Sequence, residues 1–129
     1  AKVFIGDVGS IPLGLLTGWY LIYLAMLGPF WPACIIPLYY CFDATITLAR
    51  RFAKGEKIWE PHKTHFFHLA SDTLGHAKVV LMILGLNVFL FISAAFATSE
   101  ILFVKYAAVL ASGFATLGLL SYFNNLRSK

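Results

Sequence analysis

The feature that most constrains this chain is an apolar run without any charged residue, which extends from Val8 to Phe42. A second apolar run, from Val79 to Val104, contains Glu100 as its only charged residue. Hydrophobic residues make up 60% of the 129 residues and charged residues 12%, far from the usage of a soluble domain. Because a helix needs about 20 apolar residues to cross a bilayer, these runs predict an all-α, polytopic transmembrane helical bundle.

The chain is predicted to form one membrane domain, residues 1–129, with about four spans separated by turn-forming and charged residues. The predicted spans are 8–27, 33–48, 79–98 and 101–123, the last two joined by a tight hairpin. The second span is short and contains Pro37, which predicts a kink because proline has no N–H to donate within a helix. Small residues four positions apart predict close helix packing in the first and fourth spans. They are Ser10, Gly14 and Gly18, and Ala107, Ala111 and Ala115.

The net charge of +4 comes mainly from short polar patches, so it indicates membrane orientation and does not predict a nucleic-acid partner. Basic residues are concentrated in and beside a polar loop predicted at 50–76: Arg50, Arg51, Lys54, Lys57, Lys63 and Lys78. Because Lys and Arg favour cytoplasmic segments, we expect this loop and both termini to face the cytoplasm. On the opposite side, Lys105 is expected to extend its side chain outward beside Glu100.

The same loop contains three histidines spaced three residues apart, His62, His65 and His68. On a helix this spacing would keep the three imidazoles near one face. The absence of a His-Glu-x-x-His pattern and of a neighbouring cysteine argues against zinc. Imidazoles beside Lys63 suit a pyrophosphate better, because they can donate hydrogen bonds to its oxygens. The alternative, an aromatic and basic loop that rests on anionic membrane lipid, stays open.

Two acidic residues in or beside apolar helices are further candidates for function. Asp7 precedes the first span, where its carboxylate either caps the helix or holds Mg²⁺ together with phosphate oxygens. Asp43 lies within an apolar run about two turns before Arg50. We expect Asp43 to pair with Arg50 or Arg51, or to satisfy backbone groups exposed by the predicted kink. Asn87, in the third span, is expected to hydrogen-bond to another helix.

Two segments of the chain together resemble a known enzyme family. Residues 3–10, Val-Phe-Ile-Gly-Asp-Val-Gly-Ser, resemble the GDxGS segment of the polyprenyl-phosphate N-acetylhexosamine-1-phosphate transferases, the MraY/WecA-type glycosyltransferase family 4. Residues 43–51 and 55–65 resemble the late loop of the same family. The two motifs occur in the family's order, and the resemblance covers essentially the whole chain.

The resemblance implies transfer of N-acetylhexosamine-1-phosphate from a UDP-N-acetylhexosamine to polyprenyl (undecaprenyl) phosphate, with Mg²⁺ as cofactor and release of UMP. It also implies a bacterial inner (plasma) membrane enzyme of O-antigen, other envelope polysaccharide or peptidoglycan precursor synthesis. By motif, Asp7 matches the metal-associated or catalytic aspartate, and His65 and His68 match histidines that engage the donor phosphates. The residues expected to assist substrate binding are His62, Lys63, Arg50 and Arg51.

Two departures from the family pattern limit what the chain is expected to do alone. Phe67 stands where many members have a histidine. The paired aspartates of the family's amino-terminal half have no counterpart, because this sequence contains no adjacent acidic pair. We therefore expect the carboxyl-terminal part of a transferase, which assembles with an amino-terminal half or as a homodimer. The alternative is a non-enzymatic membrane protein or inactive remnant whose basic loop binds anionic lipid or a partner.

The predicted orientation can be tested by cysteine labelling in intact cells, after Cys34 and Cys41 are replaced by alanine. A cysteine at position 57 should react with a membrane-impermeant maleimide only when the cytoplasmic side is opened, because the basic loop is expected there. A cysteine at position 99, in the hairpin between the third and fourth spans, is the matched control and should react from outside. The reverse pattern would invert the predicted orientation.

Overall fold

The computed structural model describes residues 6–55, 70–71 and 73–126, with side chains from Val8 onward. Its main helices are α1 (Gly6–Met26), α2 (Phe30–Ile35), α3 (Leu38–Ala53), α4 (His76–Phe96) and α5 (Leu102–Leu126). Further helical residues occur at 70–71 and 73–74. Across the described ranges there is no β-strand, so the predicted all-α class is confirmed.

Three helices are long and apolar enough to cross a membrane: α1 from Val8 onward, α4 and α5. Most of their large apolar side chains face outward and are exposed, including Trp19 of α1, Phe91 of α4 and Phe114 of α5. A soluble protein rarely leaves so much contiguous apolar surface in water, whereas lipid chains cover it without cost. The chain is therefore a helical membrane protein, as its composition predicts.

The segment predicted as the second span, 33–48, is two helices in the structure. α2 ends at Ile35 and α3 begins at Leu38, because Pro37 between them has no N–H for the carbonyl one turn earlier. The backbone still bonds on both sides of the break. Ile36 N–H donates to the Pro32 carbonyl at 3.1 Å, and Cys41 N–H donates to the Pro37 carbonyl at 3.0 Å. The predicted kink is thus a short interruption between two helices.

α2 and α3 together lie along α5. At one end of the bundle the ring of Trp31 meets that of Tyr106 edge-on, with centroids 6.0 Å apart. At the other end Arg50 donates a hydrogen bond to Asn124 Oδ1 at 3.0 Å. α2 and α3 therefore run alongside α5 from one end of the bundle to the other, although neither helix is long enough to cross a membrane alone. α4 packs against both α2 and α5, and α1 packs mainly against α2.

The two ends of this bundle differ in charge. At one end Glu100 and Lys105 both line a recess that also includes Pro29. The other end, called the basic end below, carries Arg50, Arg51 and Lys54 at the end of α3 and Lys78 at the start of α4. Since α3 ends and α4 begins here, the chain both leaves and rejoins the bundle at its basic end.

Packing on α4 and α5 follows particular side chains. The expected cross-helix bond of Asn87 is confirmed, since its Nδ2 donates to the Tyr40 hydroxyl oxygen of α3 at 3.0 Å. The hairpin between α4 and α5 is also as predicted, with the Thr98 hydroxyl donating to the Ala95 carbonyl at 2.7 Å. The first bond links α3 to α4, and the second is a local bond at the end of α4, where the hairpin begins.

The predicted packing stripe of α5 is only partly right, since Ala115 is partly buried and packs against the core. Ala107 and Ala111 are exposed, and the buried residues are the next ones along: Ala108, Ser112, Thr116, Leu120 and Phe123. Hydroxyl groups are tolerated on this buried face because they are hydrogen-bonded within the helix. The Ser112 hydroxyl donates to the Ala108 carbonyl and the Thr116 hydroxyl to the Ser112 carbonyl, both at 2.8 Å. In α1, a methyl group added at Gly14 or Gly18 would meet no other described atom within 4 Å. Gly14 and Gly18 therefore make no close contact with another described helix.

Leu90 provides a test of the buried face of α4. Its side chain is 0% exposed, whereas that of Leu81 in the same helix is 65% exposed. Leu90→Ala should lower the free energy of unfolding by about 2–5 kcal/mol because it opens a cavity, and Leu81→Ala by roughly 0.5 kcal/mol or less. Reversible unfolding in detergent micelles, followed by circular dichroism, would measure both. Equal losses would show that α4 presents a different face to the bundle.

Candidate functional site: a buried polar stripe and the basic end

α3 carries polar side chains on the face that it buries. Tyr39, Asp43, Thr47 and Arg51 are four residues apart and lie on one side of the helix. Their exposed fractions are 1%, 6%, 3% and 6%, whereas Phe52 on another side of the helix faces outward. These four residues are called the polar stripe below. A helix with polar side chains inward and apolar ones outward is typical of a membrane-embedded bundle, since the bilayer offers polar atoms no partner.

A cavity of about 350 Å³ lies beside the polar stripe, between α3 and α4. Tyr39 and Asp43 line it from α3, and Asn87 lines it from α4. Most of the remaining wall is apolar, from Val80 and Ile83 among others. The Asp43 carboxyl thus lies where a membrane protein seldom places an acid without a structural or chemical role.

Two hydroxyls of the polar stripe are buried without a hydrogen-bond partner among the residues that the structure describes. They are Tyr39 Oη and Thr47 Oγ1. An unpaired buried hydroxyl costs about 1–3 kcal/mol, and native proteins pair nearly all of them. The described bundle therefore leaves part of its internal polar surface unsatisfied, on the same face as Asp43 and Arg51.

The structure separates the two arginines that the sequence predicts to assist substrate binding. The Arg51 side chain is buried within the bundle as part of the polar stripe. Arg50, one residue earlier and about 100° around the helix, is exposed at the α5 side, where it donates to Asn124. Asp43 shares its buried face with Arg51, not with Arg50. The two guanidinium groups therefore do not share one surface.

The other predicted site residues lie at or beyond the edge of the description. Asp7 is in the first turn of α1, and its side chain is outside the described part. His62, Lys63, His65 and His68 lie outside the described residues. Among the described residues, no three His, Cys, Asp or Glu side chains come together as a metal site. Residues 56–69, called the histidine segment below, join the described chain at Gly55 and Ala70, at the basic end.

The sequence contained a signal for the polar stripe that its individual residues do not reveal. Asp43 and Arg51 stand out separately as ionisable residues near apolar segments. Tyr39 and Thr47 attract attention only when the regular spacing of four is followed through all of them. In a membrane helix this spacing of polar residues marks the buried face, as an apolar stripe does in a soluble helix.

No protein-family model, no curated protein and no solved structure matches this chain. Function is therefore inferred from the residues themselves and from where the described helices place them.

Two buried threonines test whether the unpaired hydroxyl of the polar stripe is a real cost. Thr47→Val should raise the free energy of unfolding by about 1 kcal/mol, because valine keeps the shape and removes the unpaired group. Thr116→Val is the matched control and should lower it by roughly 0.5–1.5 kcal/mol, because the Thr116 hydroxyl is hydrogen-bonded. Detergent unfolding of both variants would measure the difference. A loss for Thr47→Val as large as that for Thr116→Val would mean that Thr47 has a partner.

Proposed function

We propose that this chain is the carboxyl-terminal membrane part of a bacterial inner-membrane transferase. It would move N-acetylhexosamine-1-phosphate from a UDP-N-acetylhexosamine to polyprenyl phosphate. The observation that carries the proposal is the attachment of the histidine segment to the basic end of the bundle. α3 delivers the exposed Arg50 and Lys54 to that end, and the exposed Lys78 lies at the start of α4. Such a concentration of positive charge favours partners that bear phosphate, as both substrates do.

The position of Asp7 in the chain supports an active site at the membrane face on which the basic end lies. α1 begins at Gly6 and, with 21 residues, is about 30 Å long. Its far end leads into the turn at Gly28, which lies at the end of the bundle opposite the basic end. If α1 crosses the membrane, Asp7 therefore lies on the same membrane face as the histidine segment. The proposal places this face in the cytoplasm, in keeping with the distribution of Lys and Arg.

The proposed reaction exchanges one phosphoanhydride bond for another. A phosphate oxygen of polyprenyl phosphate attacks the phosphorus atom that carries the sugar, and the bond from that phosphorus to the bridging oxygen breaks. UMP leaves with the electron pair, and the product is a polyprenyl diphosphate sugar. His65 and His68, with Lys63 and His62 nearby, would donate hydrogen bonds to the phosphate oxygens as negative charge moves toward UMP.

Asp7 fits the requirement of the implied magnesium ion. Mg²⁺ is usually held by one or two carboxylates while phosphates and water complete its shell, so a cluster of protein ligands is not needed. Asp7 would hold the ion, which when bound supplies positive charge next to the pyrophosphate.

The proposed enzyme is completed by further spans. The sequence contains no adjacent acidic pair, and the small residues of α1 meet no other described helix at Gly14 and Gly18. We place the amino-terminal half, or a second copy of the chain, against this side of α1, where small residues allow close approach. The polar stripe would then serve as a fixed internal support for α3, which carries the cationic residues to the active face.

A second candidate function is a non-enzymatic membrane protein whose basic end binds anionic lipid headgroups. It is favoured by the same concentration of Arg and Lys, which attracts anionic lipid whatever the chemistry of the histidines. The two functions differ in their requirements. Transfer depends on UDP-sugar, Mg²⁺ and Asp7, whereas headgroup binding depends on none of them.

The deciding experiment measures transfer of radiolabelled sugar-1-phosphate from UDP-N-acetylglucosamine and related donors to undecaprenyl phosphate. Membranes would contain this chain with and without the amino-terminal half of a related enzyme. We expect Mg²⁺-dependent product only with both halves. Asp7→Asn and His65→Ala should each lower turnover roughly 10²-fold or more, because the first weakens the hold on Mg²⁺ and the second removes a hydrogen-bond donor to the phosphate oxygens.

Matched controls separate these effects from general damage. Glu100→Gln removes an exposed carboxylate at the opposite end of the bundle, and His76→Ala removes an exposed imidazole at the start of α4. Both should leave turnover nearly unchanged. If no product forms with both halves while a complete related enzyme is active in parallel, the non-enzymatic function is favoured. Full activity of Asp7→Asn would exclude the proposed role of that carboxylate.

A further inference from the structure

A groove runs along the outside of the bundle between the α2–α3 pair and α5. Its larger part is a cavity of about 390 Å³ with an almost wholly apolar wall. The wall includes Trp31, Leu38 and Phe42 on one side and Val109, Gly113 and Phe114 on the other. Since α5 is long and apolar enough to span the membrane, this part of the groove lies at the depth of lipid chains.

Toward the basic end the groove changes character. A second cavity, of about 160 Å³, is lined by Arg50 from α3 and by Ser121, Asn124 and Asn125 from α5. Leu117 lines both cavities, so they adjoin. The exposed Arg50 guanidinium is held toward α5 by its bond to Asn124. One continuous surface therefore passes from apolar side chains to a cation and amides, and is called the α3–α5 groove below.

We propose that the α3–α5 groove binds an anionic phospholipid of the surrounding bilayer. An acyl chain would lie in the apolar cavity, and the phosphate would meet Arg50, Asn124 and Ser121. The polar part of the groove lies toward one end of the bundle and the apolar part toward its middle, as a phospholipid in the bilayer requires. The polar part is at the last turns of α5, which extend about 12 Å along the helix from Leu117 to Asn125. That places the phosphate at the membrane surface and the chain in the interior.

The lining favours an anionic headgroup over a zwitterionic one. Arginine and amide N–H groups donate to phosphate oxygens, and no acidic side chain among the described residues of the polar cavity offers a partner to an amine. The size of the apolar cavity favours an ordinary acyl chain, because the much longer chain of a polyprenyl phosphate would lie mostly outside it. Arg50 is thereby assigned to a lipid headgroup, and Lys54 and Lys78, which lie outside this lining, remain the exposed cations on which the transferase proposal relies.

Two variants of the whole chain test the two parts of the groove. Arg50→Gln removes the cation, and Gly113→Leu fills the apolar cavity, since a side chain at Gly113 meets no described atom within 4 Å. The matched controls lie outside the lining: Lys105→Gln removes a cation at the opposite end of the bundle, and Gly118→Leu is on the same helix as Gly113 with the same free space. Native mass spectrometry of the purified chain would measure the fraction that carries added phosphatidylglycerol, phosphatidylethanolamine or undecaprenyl phosphate.

We expect phosphatidylglycerol to bind in preference to phosphatidylethanolamine. Arg50→Gln and Gly113→Leu should each weaken its binding about tenfold or more, while both controls stay within a factor of about two. If Arg50→Gln loses helical structure, Arg50→Lys replaces it and should retain partial binding. Equal binding of the two phospholipids, or unchanged binding in both groove variants, would overturn the proposal. Stronger binding of undecaprenyl phosphate that displaces phosphatidylglycerol would overturn the choice of lipid.

Discussion

Because a bilayer offers no hydrogen bonds, polar side chains at its depth are placed inside the protein and away from lipid, and the arrangement of this bundle depends on that constraint. α3 is the clearest example. Tyr39, Asp43, Thr47 and Arg51 all turn inward, and Phe52 turns outward. Ser112 and Thr116 meet the same demand within α5 by bonding to its own carbonyl groups. Apolar residues occupy both the rest of the core, as Leu90 and Phe123 do, and the exterior, as Phe114 does.

The break at Pro37 allows α2 and α3 to lie in different directions along one side of the bundle. α2 packs near Tyr106 at one end of the bundle, and α3 begins at Leu38 as a separate helix with its own direction. Since α3 begins a new helix, its face is set by the polar stripe and not by continuation from α2. That face brings Arg51 into the bundle and leaves Arg50 beside Asn124. Because consecutive residues lie about 100° apart around a helix, the two adjacent cations are divided between the interior and the surface.

The sequence predicted the existence and length of the apolar helices well, because length and hydropathy decide whether a segment can cross a bilayer. α1, α4 and α5 begin and end within three residues of the predicted spans 8–27, 79–98 and 101–123. It predicted the face of a helix only where a polar side chain stands out, as for Asn87. In α5 the residues at 107 and 108 are both alanine, so size alone could not distinguish the buried stripe from its neighbour. The groove beside Arg50 needed the relative positions of two helices that are distant in sequence.

The unequal packing of the helices gives the bundle two different responses to membrane thickness. α4 and α5 are packed against each other and against the α2–α3 pair, so their tilt is fixed by neighbours. α1 packs mainly against α2 and joins it through Gly28, which has a φ of 117° that a residue with a side chain rarely adopts. In a thinner bilayer α1 can therefore lean about this turn while the rest of the bundle keeps its shape. Hydrophobic mismatch would then change the tilt of α1 relative to the other helices, so that lipid composition affects α1 more than the rest of the bundle.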